Sequence, residues 1–336
     1  MRNDLSHHPI DVESSNMQRR IFLAAGAVLA APGVRAQSYP DQPVRWIVPY
    51  PAGGGTDVLA RTLAEAMRPA IGQQILVDNR PGASTNIGGE LVVRARADGY
   101  TVMSADNAIL AYNEHLFSKL PFNPEKDFSY IGAMARFPLA LVVHPDFPAK
   151  TLREFVAYAK ANPGKLNYAS PGNGSPHHLA MELFKNRTGT FITHIPYRGM
   201  APAVQDVMGG QLPCMFLDLA GGLPAMQSGK VRVLAIGSAR RAPSLPDVPT
   251  LAEAGVPNVE VYAFQGLLGP AGLPDAVVSR LNSELNKALL STAVQKRAAD
   301  FGMEVLPGTP AQFRAMARAE ALRWGPVIKS AGVKLD

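Results

Sequence analysis

The 336-residue chain is 47% apolar and 18% charged, with a mean hydropathy of zero, which excludes a disordered or fibrous polypeptide and leaves a globular protein of one or two domains. Its net charge of +6 is dispersed, without a run of five basic residues, so nucleic acid is not expected among its partners. Cys214 is the only cysteine, which rules out an internal disulfide and a thiolate metal cluster; between Pro213 and Met215 it reads as a small buried hydrophobe.

From Met17 the chain runs MQRRIFLAAGAVLAAPGVRAQS. Arg19 and Arg20 make a charged start, Ile21 to Ala31 an apolar middle too short to span a bilayer, and Val34-Arg35-Ala36 a small-residue cleavage site. A signal peptide over residues 17–36, cleaved after Ala36, is therefore expected, with a periplasmic product. The paired arginines fit a twin-arginine signal only loosely, so standard export is expected. Residues 1–16 show no apolar periodicity and read as an extension upstream of the true initiator. No later apolar stretch reaches membrane length.

Beyond the leader, short apolar runs alternate with helical patterns, which predicts an α/β protein with largely parallel sheets. In chain order the expected strands and helices are Val44 to Tyr50 (strand), Asp57 to Ala70 (helix), Gln74 to Asp78 (strand), Asn86 to Ala97 (helix) and Tyr100 to Ser104 (strand). A new strand is expected at Leu139 to His144, a helix at Leu152 to Ala161, and strands at Leu166 to Ser170, Phe191 to Pro196, Leu212 to Leu217 and Val231 to Gly237. The proline-punctuated stretch RRAPSLPDVPTLAEAGVPNVE should cross the surface without a long element. An apolar strand returns at YAFQGLLGP, followed by helices with Val278, Leu281, Leu285 and Leu289 on one face and Phe313, Met316 and Trp324 on another. Crossings near Ala135 to Leu139 and near Ala263 to Leu267 would divide the chain into two lobes: residues 38–137 and 263–336 in the first, 138–262 in the second.

The junction PAGGGTD places three glycines between the first strand and the first helix. It is not a phosphate loop, because no lysine follows, and not a dinucleotide fingerprint, because Val58 holds the third glycine position. Glycines admit a ligand where a Cβ would collide, and the next helix offers unpaired N–H groups and a positive dipole end. Together these make a small-anion site without a basic side chain. Thr56 or Asp57 is expected to cap the helix, and Arg61 to pair with Asp57. An empty strand-to-helix turn is the competing reading. Recurrence favours a site: NRPGASTNIGGE, SADNAI and ASPGNGSPHHLAMELF repeat the arrangement, and turns leaving one edge of a parallel sheet converge on one cleft.

GNGSPHHL holds Ser175, His177 and His178, but Pro176 breaks a nucleophile elbow and instead suits the first turn of a helix capped by Ser175. The adjacent histidines point about 100 degrees apart and cannot share one ligand. Asp218 ends the strand before Leu219 and is read either as a backbone cap or as a ligand contact. Arg198 is expected to be exposed.

VRWIVPYPAGGGTDVLAR, ILVDNRPGASTNIGGE, NPGKLNYASPGNGSPHHLAMELF, IPYRGMAPAVQDVMGGQ and LPDVPTLAEAG together resemble the substrate-receptor family of tripartite tricarboxylate transporters, also called the Bug family, from about Tyr39 to the C-terminus. The resemblance implies a two-lobed periplasmic binding protein of type II that is not an enzyme and has no cofactor or metal. It implies capture of a small organic acid or amino-acid-like carboxylate, delivery to integral membrane transporter subunits, and a monomeric state. Carried onto this chain, it places Ala52, Gly53, Gly54, Asp57, Ala83, Ser84, Ser104 and Asn107 in the first lobe's side of the cleft. Ser170, Gly174, Ser175 and Asp218 fall on the second lobe's side, and His178 is implied to position its helix. Two departures stand at the cleft: Ser84 replaces a usual glycine, and Ala105 to Asn107 a hydroxyl-rich segment. Asp106 would oppose a second ligand carboxylate unless it points away or the ligand carries an amino group. Readings from other classes are a sensory adaptor using the same cleft and a small-carboxylate hydrolase using Ser175.

Overall fold

The structure is a computed structural model that describes Met1 and residues 39–336; apart from Met1, the extension and signal peptide read in residues 1–36 lie outside the described residues. Strand β1 (Val44–Val48) is flanked in parallel by β2 (Ile75–Asn79) and β3 (Thr101–Asp106). Helix α1 (Gly55–Ile71) connects β1 to β2 and buries Leu59, Leu63, Met67 and Ile71, which recur at helical spacing. It stops at Gly72, whose left-handed φ of +75° lets its N–H return to the Arg68 carbonyl. Helix α2 (Asn86–Val93) leads to β3, after which a π-helical turn (Ala108–Tyr112) and the short α3 (Asn113–Leu116) follow.

Strand β4 (Phe128–Val143) is 16 residues long, where a strand was expected only from Leu139. Its first part pairs antiparallel with β9 (Tyr262–Pro270), which also pairs antiparallel with β3. From Leu139 onward β4 pairs antiparallel with β7 (Cys214–Asp218) and, from Ala140, with β8 (Arg232–Ile236). Parallel pairing resumes in β7, β5 (Asn167–Ser170) and β6 (Thr193–Pro196). The full order is β2-β1-β3-β9-β4-β7-β5-β6, with β8 and β10 (Glu304–Val305) also on β4. The sheet is therefore parallel on its flanks and antiparallel at its centre. Strands β4 and β9 are the ones that pass between the two half-sheets, and they run against their neighbours instead of following a helical crossover.

On the second half-sheet lie α4 (Leu152–Ala161), α5 (Pro176–Thr188), α6 (Met200–Met208) and α7 (Leu219–Gln227). Helix α4 has the bounds read from the sequence, with Thr151 accepting the Glu154 N–H as its cap. The proline-punctuated segment carries no helix or strand between β8 and β9. After β9 come α8 (Asp275–Leu290), α9 (Thr292–Asp300) and α10 (Pro310–Ala331), the last opened by a Thr309–Gln312 capping box. Leu281, Leu285 and Leu289 are buried as expected, whereas Val277 rather than Val278 takes the deepest position in the first turn.

Apolar clusters lie on both faces of each half-sheet. Helix α10 joins two of them: Phe313 and Ala317 pack with the first half-sheet, Trp324 and Ile328 with the second. Cys214 is fully buried in β7, its thiol directed at the Asn167 carbonyl, and burial pushes its pKa far up. Among the described residues no helix is long and apolar enough to cross a membrane.

Candidate functional site

The turn after β1 leaves Ala52, Gly53 and Gly54 exposed. Gly53 adopts φ +84°, a conformation costly for any residue with a Cβ, and the space where that Cβ would stand is open. The N-cap of α1 is Gly54, without a side-chain cap, so the first-turn N–H groups stay unpaired. Neither Thr56 nor Asp57 caps the helix as expected. Asp57 is buried and reaches backward: its Oδ2 accepts the Gly53 N–H at 2.9 Å, its Oδ1 the Asn79 amide at 2.9 Å, and both oxygens accept Arg61. Burial alone would raise this carboxyl, but the Arg61, Gly53 and Asn79 bonds outweigh it and hold Asp57 below the usual carboxylate range. The expected Asp57–Arg61 pair is present at 3.0 Å. Asn79 also donates to the Tyr50 carbonyl, so the end of β2 ties down the turn from the other side.

The second turn, after β2, has three successive non-glycine residues in the left-handed region: Ala83 (φ +46°), Ser84 (φ +49°) and Thr85 (φ +75°). Asn113 holds it, donating at 2.7 Å to both the Ser84 carbonyl and Asn86 Oδ1. The φ of Ser84 explains why glycine suits that position, and makes its serine a strained departure. The third turn is committed inward. Ser104 Oγ accepts the Trp46 indole N–H at 2.9 Å, and Asn107 accepts the Phe264 N–H while donating to Tyr112 Oη and the Tyr262 carbonyl. Asp106 accepts Tyr50 Oη and the Ala108 and Ile109 N–H groups; burial nevertheless pushes its carboxyl up. The Tyr50–Asp106 bond links the first turn to the third, and Pro49 lies so close to Gly88 that a Cβ there would stand 3.0 Å from it.

In the second half-sheet Ser175 caps α5 as expected, its Oγ accepting the His178 N–H, with Pro176 in the first turn. Ser170 Oγ stands 2.6 Å from His194 Nε2 and donates to the Gly172 carbonyl. Gly174 donates its N–H to His178 Nδ1 at 3.0 Å and abuts Leu116 and Leu335. Asp218 caps α7, its Oδ1 accepting the Gly221 N–H at 2.6 Å and its Oδ2 the His177 Nε2–H at 3.0 Å. Burial raises the Asp218 carboxyl, but His177 and the Gly221 amide outweigh it and lower its pKa. The two histidines diverge as their adjacency requires. His178 stacks face to face on His194 with ring centroids 3.8 Å apart, and Tyr168 packs alongside both rings, 4.8 Å from His194 and 6.3 Å from His178. Burial pushes His178 down to about 4 and His194 to about 3, so both rings are neutral at pH 7. Arg198 is exposed.

Tyr50, Asn79, Asn113, His177 and Gln265 hold or face these turns but were not singled out as site residues. Gln265 bonds Thr56 across a separation of 209 residues, which no local spacing reveals. A surface depression lined by Arg68, Pro69, Gly72, Gln73 and Gln74 lies at the opposite end of α1 and takes no part in the site. Among the described residues no three His, Cys, Asp or Glu side chains are grouped to hold a metal ion.

Residues 59–333 match the tripartite tricarboxylate transporter family receptor. The chain belongs to this family. Members are receptors, which makes this chain a periplasmic solute receptor and not an enzyme. It is similar to Protein BugT of Bordetella pertussis, 37% identical over 94% of this chain and 96% of that one. Among solved structures it is similar to Rpa4515 of R. palustris with adipate, at a TM-score of 0.83 and 34% identity over 88% of this chain and 99% of that one. MatC from Rhodopseudomonas palustris with bound malate superposes at a TM-score of 0.79 and 32% identity, over 86% of this chain and all of that one. These likenesses also carry the fold class, a mixed α/β fold of the periplasmic binding-protein type.

Proposed function

We propose that this receptor captures a small carboxylate solute between its two half-sheets, closes over it and delivers it to membrane transporter subunits. The observation that carries the reading is the uncapped N-terminus of α1. Its N–H groups open onto an exposed glycine turn, and Asp57, Asn79 and Arg61 brace that turn without occupying it. A carboxylate seated there meets donors and a positive dipole end with no basic side chain required. Adipate and malate in two relatives support the solute class.

Ala52, Gly53, Gly54, Ala83 and Ser84 are the backbone side of the site in this reading. Asp57, Ser104, Asn107, Ser170, Ser175 and Asp218 hold the turns in place through the bonds described above, and Gly174 lets the lobes approach. The lobes are residues 38–137 with 263–336, and residues 138–262. Closure follows because a solute bonded to both sides favours the shut form by its differential contacts. Native mass spectrometry of the protein purified without denaturation, followed by calorimetry with a panel of mono- and dicarboxylates, tests the reading. A retained acid and saturable binding are expected; a panel that gives neither overturns it.

A further inference from the structure

Four buried polar atoms beside the proposed cleft have no partner: the Thr85 hydroxyl and Asn113 Oδ1 at the second turn, and Gln265 Oε1 and His177 Nδ1, two acceptors on neighbouring elements. Gln265 in β9 is only 5% exposed; its Nε2 donates to Thr56 Oγ1 at 2.7 Å, and its Oε1 has no donor. His177 in the first turn of α5 is 6% exposed, and its Nδ1 has no partner. Asp218 can only accept, so the proton facing it sits on His177 Nε2, and in that tautomer Nδ1 presents a lone pair. A buried acceptor left without a donor is destabilising, because it has given up its water without gaining a partner.

Their placement ties both atoms to the site rather than to a core. Thr56 is in the first turn of α1, directly after the glycines, so the Gln265 amide sits at the mouth of the first turn. The His177 ring bridges the N-terminal ends of α5 and α7 through Asp218. Helix α5 packs against β9, so these two acceptors stand on neighbouring elements of opposite lobes. The glycine turn and the helix ends supply donors, which suit carboxylate oxygens. Gln265 Oε1 and, in the tautomer that donates to Asp218, His177 Nδ1 have the opposite sense: they repel a carboxylate oxygen and match an O–H or N–H.

We infer that Gln265 and His177 select a solute that carries a hydrogen-bond donor, a hydroxyl or an ammonium group, beside its carboxylate. This rests on the carboxylate-receptor reading. A site built around such a donor rejects the analogue lacking it, because its own buried acceptors are then left unmatched.

The test is calorimetry with matched C4, C5 and C6 dicarboxylates, each bare, α-hydroxylated or α-aminated, with succinate, malate and aspartate as the C4 set. For at least one chain length the hydroxy or amino acid is expected to bind about tenfold or more tighter than the bare diacid, and the comparison between those two identifies the donor. Gln265→Leu should reduce that preference at least threefold, with an unchanged far-UV circular dichroism spectrum and a cooperative melt showing that the variant is folded. In the wild-type protein, the 15N signal of His177 Nδ1 should shift on adding the preferred acid and not the bare one. Bare diacids binding as tightly as their substituted partners, or a Gln265→Leu variant that keeps the preference, would overturn the inference and leave the receptor reading standing. No binding by any of these acids would remove both.

Discussion

The Asp57 carboxylate is occupied entirely by its own chain, and this decides how the glycine turn responds to mutation. Asp57→Ala should cost about 2 kcal/mol in urea unfolding, since it removes charge-assisted bonds to Arg61, Asn79 and the Gly53 N–H at once. Gly54 has an ordinary φ of −78°, and a Cβ there would meet only the Pro51 carbonyl at 3.7 Å. Gly54→Val should therefore leave the melting temperature within a few degrees while narrowing the mouth of the turn, lowering solute affinity about tenfold or more by calorimetry; unchanged affinity would place the solute elsewhere. The stacked His178 and His194 give a pH signature. Both are held neutral in the folded protein, so the unfolded chain binds protons first as pH falls. Their contribution to stability is complete above about pH 6.5 and is lost progressively as pH falls toward about 4 and 3. Melting temperature should decline over that window, less steeply in His194→Asn.

At the scale of elements, legibility followed local periodicity. Helix α4 and the buried stripe of α8 were readable because apolar spacing, a Thr151 cap and helix-forming residues agree. The first part of β4 was not. Its pairing with β9 slips between Tyr130 and Gly132 and again between Ala133 and Ala135, which breaks the two-residue alternation, and Arg136 and Pro138 interrupt the apolar run. Helix α7 holds Gly221, Gly222 and Pro224, a composition that argues against a helix; the Asp218 cap and burial of Leu219 and Leu223 override it. Of the site, the turns themselves were legible from their glycines and hydroxyls, whereas the direction of each side chain was not. Ser104 and Asn107 turn inward because Trp46 and β9 arrive from distant parts of the chain and Tyr112 from the π-helical turn just after. Helix α10 ties distant parts too: Trp324 meets Tyr112 edge-on at 5.4 Å and donates its indole N–H to Glu320. Trp324→Ala should cost about 3–5 kcal/mol, measured by chemical denaturation, because the helix loses its largest anchor in the second half-sheet's core.

Across the whole molecule, two half-sheets share β4, and the chain re-enters the first through β9. If those half-sheets are the jaws of the receptor, small-angle scattering should show a smaller radius of gyration with a bound acid than without; identical curves would argue for a rigid cleft. The burial of Cys214 makes a sharper experiment practical. The chain's one thiol is shut inside the second half-sheet, with its pKa raised by burial, so thiol-reactive dyes should not label it in the folded state. Cysteines introduced at exposed Glu65 on α1 and Lys160 on α4 would then be the only attachment points, and energy transfer between two fluorophores there would follow opening and shutting in real time without first deleting a native residue.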